Sequence, residues 1–403
     1  MTLKSPIHDL HAAAGAMFTD YGISDPQGQL GAPGTGVIPV VATYGELALE
    51  YTSLRRACII LDLPHRGILE VAGSDAASFL NRMLTQELKD FRDDQFRRSF
   101  WLNRKGRIDA DIRVLREGDT FTLELDALAV PRTLAELSRY LVMEDCTIRD
   151  RSMELHRLSL QGLTASLLLS ALGISEIPAN GGVLRTNIAD LPITIFRDDV
   201  CSVPGFELLM ASTSIAKVFE TLIQTGHDPH HGAEALRIHG TGTAGSQIKL
   251  RPAGWHAFNI ARIEGGSPLY NLDFGPDSLP AETGIIADRV SFTKGCYLGQ
   301  EVVARMHSRG HSKSTLMAVQ LKETGLDRAL PITGAAVRLP GQDTVIGSVT
   351  TFTYSPTMGA ARIGFAMMKH DFAKPDLEIT LDTETGRELA KTNASLAFIK
   401  PAS

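Results

Sequence analysis

The spacing of apolar and polar residues divides the chain into a long region of mixed helices and strands and a final region of strands alone. Apolar residues recur at helical spacing in 5–18, 44–57, 76–83, 130–143, 164–172 and 213–225. Alternating runs typical of strands lie at 67–73, 98–102, 107–115, 120–125, 155–160, 184–189, 193–197 and 207–211. Because helices and strands follow one another in two similar successions, the pattern predicts an α+β fold with two related halves.

The pattern changes near His311. Short alternating runs between Gly and Pro turns follow, at 316–321, 336–339, 346–352, 363–367 and 377–381, and no helix of ten residues is indicated. This succession predicts a small β-barrel or sandwich. We therefore predict a mixed region of helices and strands over 1–310 and a β domain over 311–403. The Gly- and Pro-rich stretches 24–39 and 240–256 predict loops, the second a surface insertion.

Composition limits the classes of function. The formal net charge of -6 and pI near 6.1 lack the basic excess of a dominant nucleic-acid footprint, although a local basic patch is compatible with them. None of the four cysteines is spaced as CxxC, which argues against a zinc ribbon and favours reduced thiols. No segment has the ~20 apolar residues of a membrane span, and the first residues lack a signal peptide's apolar run. We expect a cytoplasmic protein that contacts neither membrane nor nucleic acid.

The most specific motif lies at 291–305. It contains Lys294-Gly-Cys-Tyr-Leu-Gly-Gln-Glu301, with Cys296 close to the ammonium group of Lys294. A neighbouring cation favours the thiolate, which is the nucleophilic and metal-binding form of cysteine. The alternative is a small buried cysteine between two turn glycines.

This octapeptide resembles the signature of the YgfZ-type folate-binding proteins, which maintain iron–sulfur enzymes. Other segments resemble glycine-cleavage T-proteins, namely 5–11, 54–65, 261–270 and 346–356. The resemblance covers most of the chain. It implies a cloverleaf of two interleaved α+β subdomains around a folate channel, closed on one side by a C-terminal β-barrel.

The resemblance also implies site residues. Asp111 aligns with an aspartate that faces the folate and assists electrostatically, and Asp109 shares its strand face and is the alternative. Glu207 aligns with a glutamate that binds the pterin. The other predicted folate contacts are Arg262, Tyr270 and Tyr297. Without the family, Asp111 and Glu207 read as ordinary surface charges, and Arg262 as a structural partner of Glu264.

Two histidines follow the signature. His307 and His311 have the spacing of metal ligands on a helix, but Gly310 lies between them and no carboxylate completes a set. We expect polar residues at a domain junction and no metal site.

The first functional hypothesis is a tetrahydrofolate-binding protein that supports assembly or repair of iron–sulfur enzymes, including those that modify tRNA, through Cys296, Lys294 and Glu301. Its partners would be a reduced folate or one-carbon derivative and cluster-carrying or assembly proteins. The alternative is a tetrahydrofolate-dependent aminomethyl- or methyltransferase in which Asp111 stabilises charge electrostatically. Gly22-Ile-Ser-Asp-Pro26 replaces the T-proteins' Gly-Trp-Glu-Met-Pro run, which weighs against glycine cleavage itself. A third possibility is a folate-binding module without chemistry.

Overall fold

The computed structural model describes residues 4–22, 37–226 and 249–401. Two large sheets and a separate sheet of the first two strands form the first part of the molecule. The elements up to the end of the first sheet are α1 (His8–Ala13), β1 (Met17–Tyr21), β2 (Ile38–Thr43), α2 (Leu47–Arg56), β3 (Cys58–Asp62), β4 (Arg66–Ala72), α3 (Ala76–Met83), β5 (Phe96–Leu102), β6 (Ile108–Glu117), β7 (Thr120–Asp126), α4 (Val130–Ser138) and β8 (Thr147–Asp150).

The second sheet and the barrel follow. Their elements are β9 (Leu155–Gln161), α5 (Ala165–Ala171), β10 (Val183–Ile188), β11 (Leu191–Arg197), β12 (Gly205–Ala211), α6 (Ile215–Thr225), β13 (Leu250–Pro252), α7 (Trp255–Glu264), α8 (Ile286–Arg289), α9 (Gln300–Arg309), β14 (Ser314–Leu321), β15 (Ala336–Arg338), β16 (Val345–Ser355), β17 (Ala361–Lys369), β18 (Glu378–Thr383) and β19 (Gly386–Thr392).

The two subdomains are interleaved, as predicted. A five-stranded sheet has the order β5-β6-β7-β4-β8, and a six-stranded sheet has the order β10-β11-β12-β9-β3-β13. The chain lays down β3 in the six-stranded sheet, crosses to the five-stranded sheet for β4 to β8, and returns with β9. Each half then repeats the succession strand, helix, three strands, helix, which confirms the two related halves.

Each sheet buries one face under its own helices. Leu69, Val71, Phe79 and Leu80 join the core beneath α3 and α4, while Leu158, Leu160 and Phe219 join the core beneath α5 and α6. The opposite faces turn towards one another, so polar residues such as Arg157 and Ser159 are buried as well. Strands covered on both sides therefore form a polar channel between the two sheets.

The last six strands close into a barrel, confirming the predicted all-β region. Ile263 of α7 packs in the same apolar cluster as Leu316 and Phe365 of the barrel, which joins the barrel to the mixed region. We propose that the boundary between the 1–310 and 311–403 units lies between α9 and β14. Of the helices in the described ranges, none is both long enough and apolar enough to span a bilayer.

Several predicted boundaries are wrong. The helix predicted over 5–18 ends at Ala13 because Gly15 turns the chain with φ +79°, and Phe18 belongs to β1. The helix predicted over 130–143 ends at Ser138. The loop predicted over 24–39 lies mostly outside the described residues, but Ile38 already begins β2.

The surface insertion predicted over 240–256 is also wrong in its last part. Residues 240–248 lie outside the described ranges, whereas Leu250–Pro252 form a buried edge strand parallel to β3. Trp255 then begins α7. A three-residue strand that ends in proline has no alternation to detect, and proline is tolerated there because the strand lies at the sheet edge.

Candidate functional site

A carboxylate surrounded by three guanidinium groups lies in the channel between the sheets. Glu124 of β7 accepts hydrogen bonds from Arg66 Nη2 at 2.8 Å, Arg113 Nη1 at 3.0 Å and Arg157 Nη1 at 2.5 Å. Burial alone would raise the pKa of Glu124, but the three guanidinium groups outweigh it and hold that pKa well below its ordinary value. The charges here are paired within the protein.

Glu207, the predicted pterin ligand, lies on β12 opposite Ser159 of β9. Its Oε1 accepts hydrogen bonds from Ser159 Oγ at 3.0 Å and from Gln161 Nε2 at 3.3 Å. Its Oε2 lies 3.2 Å from Arg157 Nε, but the two atoms are not aligned for a hydrogen bond. One carboxylate oxygen of Glu207 is therefore within range of a cation and still open to a donor.

A narrow cavity beside Glu207 collects unpartnered polar atoms. Within the described ranges, His65 Nδ1, Arg157 Nε, Glu207 Oε2 and Arg262 Nη2 are buried without a hydrogen-bond partner, and all four residues line this cavity together with Tyr270. Buried polar groups in proteins are nearly always paired. We call this site the polar cleft; its donors and acceptors match a ligand that offers both.

The polar cleft is small as it stands. It encloses about 30 Å³, which is room for one or two water molecules. A larger ligand would have to displace lining side chains such as Arg157.

Arg262 is held by an aspartate and not by Glu264, while its predicted contact with folate stays a prediction. It is fully buried, pairs with Asp273, and donates from Nε to Asn259 Oδ1 at 2.9 Å. The predicted structural pairing with Glu264 is wrong, because Glu264 instead binds Arg55, Tyr51 and Ser355. Only Nη2 of Arg262 is left for a ligand among the described contacts.

Asp109 and Asp111 lie on one face of β6 together with Arg113, as the alternation predicts. Asp111 is half-buried, and its two oxygens lie 3.3 and 3.4 Å from Arg289 Nε and Nη2. Asp109 is buried and pairs with Arg132 at 2.8 Å. Burial raises the pKa of Asp109 above its ordinary value, although Arg132 opposes the change. Each carboxylate therefore has a cationic partner.

Tyr270 connects this strand to the polar cleft. Its hydroxyl donates a hydrogen bond of 2.8 Å to the backbone carbonyl of Asp109, and its ring lines the cleft. Residues two apart on a strand are separated by about 6.6–7 Å. Arg113, Asp111 and Asp109 thus form a row of about 13 Å that starts at the cleft.

The signature segment is anchored to the end of α3. The ammonium of Lys294 donates to three backbone carbonyls, those of Asn81 (2.8 Å), Leu84 (2.9 Å) and Gln86 (2.6 Å). The last carbonyls of a helix have no partner within the helix, so this lysine completes them. Lys294 is buried, and its geometry gives it an anchoring role; the predicted effect on the thiol stays a prediction.

The other members of the signature point in different directions. Tyr297 is buried in the core of the five-stranded sheet, and burial raises its pKa to about 12. Cys296 is exposed. Gly299, with φ +81°, begins α9 against the β5–β6 turn, where an added Cβ would lie 3.0 Å from Asn103 O. The structure therefore presents the thiol to solvent on a fixed loop and does not bring Tyr297 to the polar cleft.

The two histidines after the signature are separated from each other. The ring of His307 stacks on Phe292 with centroids 3.9 Å apart, and His311 stacks on His370 at the same distance. Within the described residues, no group of three potential ligands surrounds a metal position.

Sequence reasoning missed the arginines of the channel and Arg289. Arg157, Ser159 and Gln161 alternate with Leu158 and Leu160, which is the ordinary pattern of a half-exposed strand. Nothing in that alternation reveals that a second sheet covers the polar face.

This architecture matches two family models and a known structure. A family model described as the GCVT N-terminal domain matches residues 7–241, and the glycine cleavage T-protein C-terminal barrel domain matches residues 315–400. The chain belongs to the glycine cleavage T-protein family. Its N-terminal family domain contains both sheets up to α6, and the barrel domain covers β14 to β19 nearly completely.

Two relatives match this chain over nearly its full length. An aminomethyltransferase of Shouchella clausii is 26% identical over 99% of this chain and 98% of its own, and one of Halalkalibacterium halodurans is 24% identical over 97% of both. The crystal structure of glycine cleavage system aminomethyltransferase T from Bartonella henselae superposes with a TM-score of 0.80 at 19% identity, covering 99% of this chain and 98% of that one. That structural likeness confirms the fold.

Proposed function

We propose that this protein binds tetrahydrofolate in the channel between the two sheets and takes part in one-carbon transfer, as an aminomethyl- or methyltransferase. The observation that carries the proposal is the group of four unpartnered buried polar atoms around the polar cleft. A pterin ring offers amino and ring N–H donors beside ring acceptors, and this cleft offers the complementary set. The full-length relatives named aminomethyltransferase support the same activity.

The residues of the channel then have distinct roles. Glu207 accepts hydrogen bonds from the pterin through its free Oε2, and Ser159 and Gln161 hold the carboxylate in place. The row from Arg113 to Asp109 extends from the cleft along the elongated ligand. Tetrahydrofolate supplies the nitrogen that receives the one-carbon unit. Asp111 stabilises positive charge nearby, and Arg289 fixes its orientation.

The binding step is tested by titrating tetrahydrofolate against the wild type, Glu207→Gln and Glu378→Gln. Glu378 is an exposed carboxylate on the barrel and serves as the matched control. A hydrogen bond to a charged group contributes about 1.5–3 kcal/mol, so Glu207→Gln is expected to weaken binding about 10- to 100-fold. Equal affinities in all three proteins, with unchanged melting temperatures, would exclude this site.

The transfer step is tested by following 5,10-methylene-tetrahydrofolate with a panel of amine donors. Asp111→Asn is expected to lose activity, whereas Cys296→Ala retains it. The converse result would remove the transferase proposal.

The second candidate is support of iron–sulfur enzymes, as in the YgfZ-type branch. The observation that favours it is the exposed Cys296, held within the Lys294–Glu301 signature by an anchored loop. Cells lacking the protein would be complemented with wild type, Cys296→Ala or Asp111→Asn, and their cluster-dependent enzymes assayed. Failure of Cys296→Ala to rescue, with tetrahydrofolate binding intact, supports this function; full rescue excludes it.

A further inference from the structure

A second, open cleft lies beside the signature segment. It has a volume of about 570 Å³, within the range of small-molecule sites. Trp101 of β5, Tyr140 after α4 and Leu298 of the signature contribute apolar surface. Arg104 and Lys105 of the β5–β6 turn bring positive charge. We call it the basic cleft; it is the local basic patch that the overall acidic composition allows.

The charges of the basic cleft do not cancel. The carboxylate of Asp109 pairs with Arg132 at 2.8 Å, and that of Glu136 pairs with Arg139 at 2.6 Å. Arg104 and Lys105 have no ion pair within the described part of the chain. The lining therefore retains two positive charges once its own carboxylates are satisfied.

Arg104 is held in a geometry suited to an oxyanion. Its Nε donates to Tyr140 Oη at 3.3 Å, and its guanidinium carbon lies 5.9 Å from the centre of the Tyr140 ring. This contact leaves both terminal nitrogens without a hydrogen-bond partner within the described residues. A guanidinium fork of this kind binds carboxylate or phosphate oxygens in pairs.

The wall of the cleft contains an unsatisfied donor. Trp101 is 1% exposed, and its Nε1 has no hydrogen-bond partner within the described residues. A buried indole N–H usually finds an acceptor. Because this nitrogen is itself covered, what the cleft offers a ligand is a surplus of two cations beside an apolar wall.

Cys296 lies next to this cleft along the chain. Only Tyr297 separates it from Leu298, so the Cα atoms of Cys296 and Leu298 are at most about 7 Å apart. The thiol is exposed on the anchored loop. The loop that carries Cys296 therefore borders the basic cleft through Leu298.

We propose that the basic cleft binds a small organic dianion with a flat apolar body and presents it to Cys296. The two negative charges match the two unpaired cations, and the flat body matches the apolar part of the lining at Tyr140 and Leu298. Carboxylate and phosphate groups share this chemistry. Binding itself is independent of the thiol, and only the presentation rests on the proposed role of Cys296. Asp109 lines this cleft and also ends the row along the proposed folate, so competition with tetrahydrofolate tells the two sites apart.

Binding is tested with the fluorescence of Trp101. The chain has two tryptophans, so Trp255→Phe leaves Trp101 as the only reporter. Isophthalate and phenyl phosphate are the dianionic probes, and isophthalamide is an uncharged probe of the same shape. We expect saturable quenching by a dianion and at least tenfold weaker binding of isophthalamide. The stronger of the two dianions identifies the preferred group.

Variants assign the binding to this site. Arg104→Met/Lys105→Met is expected to weaken dianion binding about tenfold, since two charge contacts are lost. Lys217→Met/Arg387→Met removes two exposed cations from α6 and β19 and is expected to leave it unchanged. Equal binding of dianion and amide, or equal loss in both double variants, would overturn the proposal. So would displacement of the probe by saturating tetrahydrofolate, which would make the cleft part of the folate site.

Presentation to the thiol is tested with two aromatic disulfides. Dithiobis(nitrobenzoate) is a dianion and dithiodipyridine is uncharged. In each case the Cys296 thiolate attacks one sulfur, the reagent's S–S bond breaks, a mixed disulfide forms and one aromatic thiolate leaves. Peptide mass spectrometry follows the modification of Cys296 by each reagent. We expect the ratio of the rate with the charged reagent to the rate with the uncharged reagent to fall about tenfold in Arg104→Met/Lys105→Met. An unchanged ratio would overturn presentation, whereas Cys296→Ala is expected to retain isophthalate binding and so separates the two claims.

Discussion

The polar cleft and the basic cleft use arginine in opposite ways. Arg66, Arg113 and Arg157 line the polar cleft and share Glu124 behind it, so nearly every charge has a partner inside the protein. In the basic cleft, Arg104 and Lys105 keep their charge for solvent or a ligand. The difference follows from burial, because an unpaired charge is costly in the interior and inexpensive at the surface. Charges that are free to act on a ligand are therefore found at the open site.

The largest effect is expected from removing the carboxylate of Glu124, which the arginines of the polar cleft share. Glu124→Gln leaves three buried guanidinium groups without their shared anion, and we expect a loss of about 3–5 kcal/mol in the free energy of unfolding. Urea unfolding measures it. Glu117→Gln is the control, since Glu117 is an exposed residue at the end of β6 and its ion pair with Arg185 is worth at most about 1 kcal/mol. Similar losses in both variants would contradict the difference between the clefts.

The dependence of stability on pH should also show that Glu124 is paired. The pKa of folded Glu124 is depressed, so its stabilisation is fully present above its unfolded pKa of about 4.3 and is lost as the pH falls towards the folded value. We expect the free energy of unfolding of the wild type to fall between about pH 5 and pH 3, and that of Glu124→Gln to fall less. Parallel pH profiles would show that Glu124 is not the group responsible.

Lys294 anchors the segment that carries Leu298, a lining residue of the basic cleft. Lys294→Met removes the donor to three carbonyls at the end of α3, and we expect a loss of about 2–3 kcal/mol. Lys217→Met, an exposed lysine on α6, should change stability by less than about 0.5 kcal/mol. A small effect of Lys294→Met would remove the anchoring role.

Substitution of Gly299 tests whether the signature segment must approach the β5–β6 turn closely. Gly299 and Gly341 both have positive φ, +81° and +73°, but only Gly299 has neighbours within 4 Å of an added Cβ. Both alanine variants carry the backbone penalty of about 1–2 kcal/mol, and Gly299→Ala should lose about 1 kcal/mol more because it contacts Asn103 O. Equal melting temperatures would show that the turn moves freely.

The smallest effect is expected at the rim of the basic cleft. Glu136→Gln frees Arg139 and raises the surplus from two cations to three. We expect isophthalate to bind about two- to fivefold more tightly, with stability changed by less than about 0.5 kcal/mol. Weaker binding would contradict the charge balance that we assign to the cleft.

Local patterns were sufficient for most of the architecture. Alternation and helical spacing predicted the two related halves, the strands from β4 to β12 except the short β8, and the terminal all-β region, because one face of each element packs on a core. The motifs around Cys296 and the flanking segments indicated the T-protein family. These features depend on residues close together in the chain, so periodicity and motif spacing record them.

Only the tertiary structure decided which charges are paired. The partners of Glu124 come from β4, β6 and β9, and those of Lys294 from the end of α3, more than 200 residues away. It also decided that β13 is a buried strand, that Arg262 pairs with Asp273, and that Arg104 and Lys105 line the basic cleft without an ion pair to any described residue. A sequence lists charges without their distances. Whether a charge is balanced or available depends on burial and on partners brought together by the fold.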